Sequence, residues 1–208
     1  MTKLLTIDRL KTFSDSVLLV AITILAYNLS PPSLINGKLS GVELQSFLDN
    51  VYGLISSFSA ISVFWLLYTK ILDYMREVDD VVILLSLMFF ILVLLIPVSS
   101  LAQFQYRNLQ SVISLALLQI INGLLLLSIW TYIIKHRKTL MTEGGLNTSD
   151  DRYMYSRLAI IPCIYLITIA IAFFLSIYLA STFPVIIVPA MIVLARVFGS
   201  KKIKNTKL

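Results

Sequence analysis

The chain has 208 residues, of which 58% are hydrophobic and 13% are charged, and its mean hydropathy is +0.90. Soluble globular domains contain about 45–50% apolar residues, so this composition excludes an ordinary soluble domain and predicts a polytopic membrane protein. The formal charge of +6 does not indicate a nucleic-acid partner, because the basic residues lie at predicted helix ends and in the tail, where topology and lipid headgroups account for them.

Six apolar segments predict an all-α membrane protein, with one domain over residues 1–208 and six transmembrane helices. Each segment approaches or exceeds the ~20 residues that cross a bilayer. Prolines 31 and 32 end the first helix, and the polar residues 144–151 form the longest loop, after the fourth. The last two helices are predicted to turn near residues 181–184. The predicted helices are about 9–29, 44–71, 81–102, 108–134, 155–180 and 183–198.

The positive charges predict the orientation of these helices. Most Lys and Arg residues lie at the N-terminus, in the turn between helices two and three, in the loop after helix four and in the tail, whereas only Lys38 and Arg107 fall in the opposite loops. Cytoplasmic loops are the ones that carry an excess of Lys and Arg. We therefore expect a multi-pass cell-membrane protein with both termini in the cytoplasm.

The first helix has two different faces. A carboxylate such as Asp15 costs about 2.5–3.5 kcal/mol at the centre of a membrane helix, so it needs a partner, a wet cavity or a position near the interface. At about 100° per residue, Asp15 lies nearly opposite a largely apolar stripe. The stripe contains Phe13, Ser16, Val20, Thr23, Ile24 and Tyr27.

The start of this helix carries an RxxxFSD motif, followed at once by apolar residues, that resembles the transmembrane protein 175 family of potassium channels. The resemblance continues at Phe64-Trp65, at Leu95-Ile96-Pro97 and in the order of the six helices, as in the single-repeat prokaryotic members. It covers nearly the whole chain. The structural residues of the motif are Arg9, Phe13, Ser14 and Asp15.

The resemblance implies a homotetramer whose first helices line a central pore and pass potassium by passive leak. The motif occurs once, so one chain cannot enclose a pore and must assemble around an axis. The family narrows its pore at an aliphatic residue five positions after the Asp. In this chain that position is Val20, which is smaller than the usual Ile or Leu, and either Val20 or Ile24 forms the narrowest ring. The implied pore-lining residues are Val20, Thr23, Ile24 and Tyr27.

By the same resemblance, Ser14 and Asp15 form the centre of a polar network that fixes the first helix against the second and third. Trp65 is expected to support it. The family commonly has a His just after this Trp, and here a hydroxyl of Tyr68 or Thr69 takes its place. We expect this network to hold structure rather than to contact ions, because both residues point away from the stripe.

Other sites are excluded or weighed against ordinary explanations. Val51-Tyr52-Gly53 resembles part of a carbonyl filter but lies in a helical pattern and lacks the residues before it. There is no catalytic or metal-ligand constellation, and Cys163, a predicted core residue, excludes an intramolecular disulfide. We expect no enzyme, no cofactor beyond potassium as the permeant ion, and copies of the chain and lipids as partners. The alternative is a small secondary transporter or a non-conducting membrane scaffold.

Overall fold

The computed structural model describes residues 6–27, 29, 31–32, 34–35, 38–136, 140–141 and 148–187. Within them the chain forms six helices and one two-stranded antiparallel hairpin, which lies between the first two helices. The helices are α1 (Ile7–Tyr27), α2 (Gly41–Asp73), α3 (Asp80–Tyr106), α4 (Leu109–Lys135), α5 (Thr148–Phe174) and α6 (Ile177–Ile187), and the strands are β1 (Leu34–Ile35) and β2 (Lys38–Leu39).

Short polar side chains start the three middle helices. Ser40 accepts a hydrogen bond from the backbone N–H of Glu43 at 3.2 Å, which begins α2. Asp79 begins α3 and Asn108 begins α4 in the same way. Each side chain accepts a hydrogen bond from the backbone N–H three residues later, at 3.0 and 2.8 Å. Such caps satisfy N–H groups that have no partner inside the helix. The starts of these three helices therefore depend on residues that are close together in the sequence.

Five helices are long and apolar enough to cross a membrane. They are α1, α2, α3, α4 and the part of α5 from Asp151 to Phe174. The described part of α6 is a shorter apolar helix, and residues 188–198 of the predicted sixth span lie outside the described residues. The predicted all-helical membrane fold is confirmed.

The helices pack in chain order. α1 lies against both α2 and α3, α3 lies against α4, and α4 lies against α5. The core is apolar and aromatic, with Phe64, Tyr68, Phe89 and Trp130 almost completely buried. This order leaves α1 at one end of the packed series of described helices, and its remaining face is largely exposed.

The predicted turn at residues 181–184 was wrong. α5 ends at Phe174 and α6 begins at Ile177, so the turn lies about six residues earlier. Ser176 accepts the N–H of Tyr178 at 3.2 Å, while the hydroxyls of Ser181 and Thr182 donate to carbonyls one turn back inside α6. The hydroxyl cluster that suggested a turn therefore bonds within a helix.

The start of α5 was also misplaced. The helix begins at Thr148 rather than near residue 155, so the segment 148–151 belongs to the helix and not to the preceding loop. Asp151 accepts a hydrogen bond from the indole of Trp130 at 3.1 Å, which docks this polar first turn against α4.

Two prolines, Pro97 and Pro162, lie inside α3 and α5. Membrane helices tolerate proline because neighbouring helices can compensate for the lost backbone hydrogen bonds.

Candidate functional site

α1 buries one stripe and leaves the other exposed. The buried stripe packs against α2 and α3, and its members recur every three or four residues, as the helical repeat requires. It is mainly aliphatic, so burial of apolar surface holds α1 to the subunit. Its residues are Leu10, Ser14, Leu18, Ala21 and Leu25.

The predicted pore-lining residues all lie on the exposed side of α1. Val20 is 50% exposed, Ile24 37% and Tyr27 88%, and Thr23 is exposed as well. In a membrane, an exposed apolar side of a helix can face lipid, another copy of the chain or a pore. The structure therefore leaves this stripe available to other copies of the chain or to a pore.

The hydroxyls of this side are satisfied by α1 itself. Thr23 donates to the carbonyl of Leu19 at 2.8 Å, and Ser16 donates to that of Thr12, also at 2.8 Å. Each hydroxyl hydrogen therefore points back along the helix. The oxygen keeps lone pairs that can face a cation or a water molecule.

Asp15 is held by the tryptophan that the sequence indicated. The indole Nε1 of Trp65 donates to Asp15 Oδ1 at 2.9 Å, joining α1 to α2 across 50 positions of sequence. Asp15 lies away from the predicted pore-lining stripe, as the helical wheel required. A hydrogen bond to a charged acceptor is stronger than a neutral one, so this contact fixes the rotation of α1 against α2.

Ser14 and Tyr68 do not join Asp15 in one network. The buried hydroxyl of Ser14 donates to Lys11 O at 2.7 Å, within α1. The fully buried hydroxyl of Tyr68 donates to Ser86 Oγ at 2.9 Å and joins α2 to α3 instead. The expected polar network reaches α2 through Asp15 and Trp65, whereas the described hydrogen bonds of the Ser14 and Tyr68 hydroxyls go to nearer partners.

Aromatic rings supply the link from the motif to α3. The ring of Phe13 packs edge-on against Phe90 at 5.7 Å, and Phe90 packs edge-on against Tyr68 at 5.1 Å. Edge-to-face pairs of this kind stabilise contacts beyond simple area burial. Phe13 thus contacts the subunit core, although it is 44% exposed, and it lies at the edge of the stripe.

An ion pair that the sequence did not reveal closes the same end of the bundle. Lys11 Nζ lies 2.9 Å from Asp73 Oδ1, so the start of α1 is tied to the end of α2. Arg9, two residues earlier, is exposed. The Lys11–Asp73 pair has no local sequence signal, because its partners are 62 residues apart.

The filter-like residues 51–53 lie inside α2. The carbonyl of Gly53 accepts hydrogen bonds from Ser57 at 2.8 Å and from Ser100 at 3.1 Å, and the ring of Tyr52 stacks on Phe104. These carbonyls belong to a helix and face protein donors. The interpretation that this triplet is not a filter is consistent with that position.

Other chemistry is sparse in the part of the chain that the structure describes. There, no three His, Cys, Asp or Glu side chains come together in a way that could hold a metal ion. Cys163 is exposed on α5, so its predicted place in the core was wrong.

The comparisons with known proteins concern the family and the fold. Residues 9–97 match the family model described as endosomal/lysosomal potassium channel TMEM175, so the predicted resemblance is confirmed from Arg9 to Pro97. No curated protein matches the chain in sequence. The crystal structure of a lysosomal potassium-selective channel TMEM175 homolog from Chamaesiphon minutus matches with a TM-score of 0.76 and 17% identity, over 91% of this chain and 97% of that one. The likeness of fold therefore continues through α4 and α5.

Proposed function

We propose that this chain, as a member of the TMEM175 family, forms a homotetramer that conducts potassium passively, with α1 of each subunit lining a central pore. The observation that carries the proposal is the exposed apolar side of α1, on a helix that is otherwise fixed to its subunit. The family match and the likeness of fold support it.

Assembly follows from the position of α1 in the packing order. α1 packs on α2 and α3 with one stripe only, so a single subunit supplies one wall of a conduit. Closed cyclic symmetry is the usual way to complete such a wall with identical copies. Four copies would bring four Val20 side chains, and one turn further along four Ile24 side chains, towards the axis.

Apolar rings on this helix would gate and select by dewetting. A narrow hydrophobic ring makes an ion lose part of its hydration shell, and the cost differs between ions. The oxygen of Thr23, whose hydrogen is bound to Leu19, would give partly dehydrated ions a polar contact between the two rings. We expect weaker potassium selectivity than a ring of backbone carbonyls provides.

The proposed setting is the cell membrane, with several spans and both termini in the cytoplasm. The distribution of Lys and Arg in the sequence supports this orientation. No cofactor is needed for passive conduction, because the driving force is the potassium gradient. The proposed partners are the other copies of the chain, membrane lipids and potassium ions.

Potassium flux in liposomes tests the proposal. Purified wild-type protein should release potassium down an imposed gradient, Val20→Ala should release it faster and with less selectivity over sodium, and Val20→Phe should block it. Leu166→Phe is the matched control, because Leu166 is 57% exposed on α5, which packs mainly against α4. The control should conduct like the wild type.

Two outcomes would replace the proposal. Flux that saturates and requires a second, coupled gradient would indicate a secondary transporter. The absence of flux from folded tetramers, in the wild type and in Val20→Ala alike, would indicate a scaffold.

A further inference from the structure

A cavity of about 690 Å³ lies away from the exposed side of α1, at the membrane end where α1 ends and α2 begins, which we term the distal end. The start of α2, the end of α3 and the start of α6 surround it. Its volume falls within the ~300–1,000 Å³ of typical small-molecule sites. Its lining includes Leu48, Asp49, Tyr52, Phe104, Arg107 and Ser176.

One ion pair forms the polar side of this distal cavity. The guanidinium of Arg107 pairs with Asp49 Oδ1, donates from Nε to the carbonyl of Phe104 at 3.3 Å, and lies over the ring of Tyr178 at 5.3 Å. Asp49 is largely buried, with 16% of its side chain exposed. The cavity wall thus holds one fixed positive and one fixed negative charge side by side.

The backbone at Arg107 is shaped for this position. Arg107 has a φ of 46° and a ψ of 40°, and its N–H closes α3 by bonding to the carbonyl of Gln103 at 3.1 Å. The left-handed conformation is uncommon for a residue other than glycine. It turns the chain between α3 and α4 so that the guanidinium points back over the cavity.

Several hydrogen-bonding positions in the cavity remain available. The described hydrogen bonds to Asp49, from Arg107 and from Gln45, both end on Oδ1, which leaves Oδ2 for a donor. Ser176 accepts the N–H of Tyr178, so its hydroxyl hydrogen is available for an acceptor. Ser176 also precedes α6, where the helix dipole favours negative charge.

Much of the remaining lining of the cavity is apolar. Leu48 and Tyr52 lie one turn apart on α2 and are 42% and 53% exposed, and the ring of Tyr52 stacks on Phe104. A ligand that fits has one apolar chain and a head with both charges. A membrane offers such a ligand at the depth where helices end.

We propose that the distal cavity binds a phospholipid with a primary ammonium in its headgroup, phosphatidylethanolamine. Its phosphate oxygens accept from Arg107 and Ser176, and its ammonium donates to Asp49 Oδ2. One acyl chain covers Leu48, Tyr52 and Phe104. The ion pair is neutral overall, so it matches a zwitterion better than an anionic headgroup, and a choline headgroup has no N–H to donate.

Native mass spectrometry of the purified protein tests this proposal. Phosphatidylethanolamine and phosphatidylcholine with identical acyl chains are added in detergent, and bound lipid is counted on each oligomer. The wild type should bind phosphatidylethanolamine about tenfold more tightly, because only this headgroup has an N–H that can donate a charge-assisted hydrogen bond to Asp49. Asp49→Asn should remove that preference, and Arg107→Gln should weaken the binding of both lipids.

Leu48→Trp fills the apolar part without touching the ion pair, and it should also lower lipid binding. If a charge variant does not fold, the lipid binding of Leu48→Trp tests the proposal in its place. Arg152→Gln is the matched control for Arg107→Gln, because Arg152 is exposed at the other membrane end, and it should bind lipid like the wild type.

Three results would overturn the proposal. Equal binding of the two lipids by the wild type would remove the recognition of the ammonium. Unchanged binding in Leu48→Trp and Arg107→Gln would place the lipid elsewhere. Lipid that is bound by monomers and lost on assembly would show that a second copy of the chain occupies the cavity. Binding is counted without any flux measurement, so these results are independent of channel activity.

Discussion

α1 and α4 are both apolar helices of membrane-spanning length, yet they differ in how much of their surface is buried in the bundle. α4 lies between α3 and α5 and buries Trp130, Gln119 and Asn122 almost completely. α1 lies at the end of the packing order and leaves Val20 and Tyr27 exposed. In a membrane, an apolar side chain has a similar free energy against lipid and against protein, because lipid tails are also apolar. Position in the packing order, rather than composition, therefore decides how much of each helix stays exposed.

The comparison predicts the largest loss of stability on the buried side of α4. A Cβ at Gly123 would lie 2.8 Å from the ring of Pro162 in α5, closer than real contacts allow. Gly123→Val should therefore separate α4 from α5 and destabilise the protein by about 1–3 kcal/mol or more, as overpacking does. Thermal unfolding in detergent measures this.

Leu124→Val is the control for that variant, because the neighbouring Leu124 is 49% exposed. Its unfolding temperature should stay close to that of the wild type. Equal stability of Gly123→Val would contradict the close packing of α4 on α5.

On α1, the next largest effect should come from Asp15. Asp15→Ala removes the acceptor of the Trp65 indole, so α1 should lose its fixed rotation and tetramers should become several-fold rarer. Ion preference in the remaining channels should change little, because Asp15 lies away from the stripe. Native mass spectrometry counts the tetramers, and flux in liposomes reports the preference.

Asp8→Ala, an exposed substitution at the start of the same helix, should leave tetramers intact. A normal tetramer with altered selectivity in Asp15→Ala would show that this carboxylate faces the pore after all.

The smallest effect on stability should come from the exposed side of α1. Thr23→Ala removes a hydroxyl that bonds only to its own helix, so folding and assembly should be unaffected while the ratio of potassium to sodium flux changes. Thr23→Ser keeps the hydroxyl and should keep the ratio. An unchanged ratio in Thr23→Ala would remove this residue from the proposed lining.

The sequence by itself determined the membrane class, most helix boundaries and the family resemblance over residues 9–97, because these depend on local features. Hydropathy over about twenty residues defines a span, capping residues such as Ser40, Asp79 and Asn108 bond to N–H groups three positions away, and the motif at residues 9–15 is contiguous. The helical wheel also separated Asp15 from the stripe, since that separation is a property of one helix.

Only the tertiary structure decided the partners. Tyr68 bonds to Ser86 rather than to the motif, Lys11 pairs with Asp73, and Arg107 pairs with Asp49, across 18, 62 and 58 positions. A hydroxyl or a charge accepts any partner of suitable chemistry, and packing selects which one comes within reach. The same reason explains the misplaced turn at 181–184. Ser181 and Thr182 suit a turn or a helix equally well, and in the folded bundle they donate to carbonyls within α6.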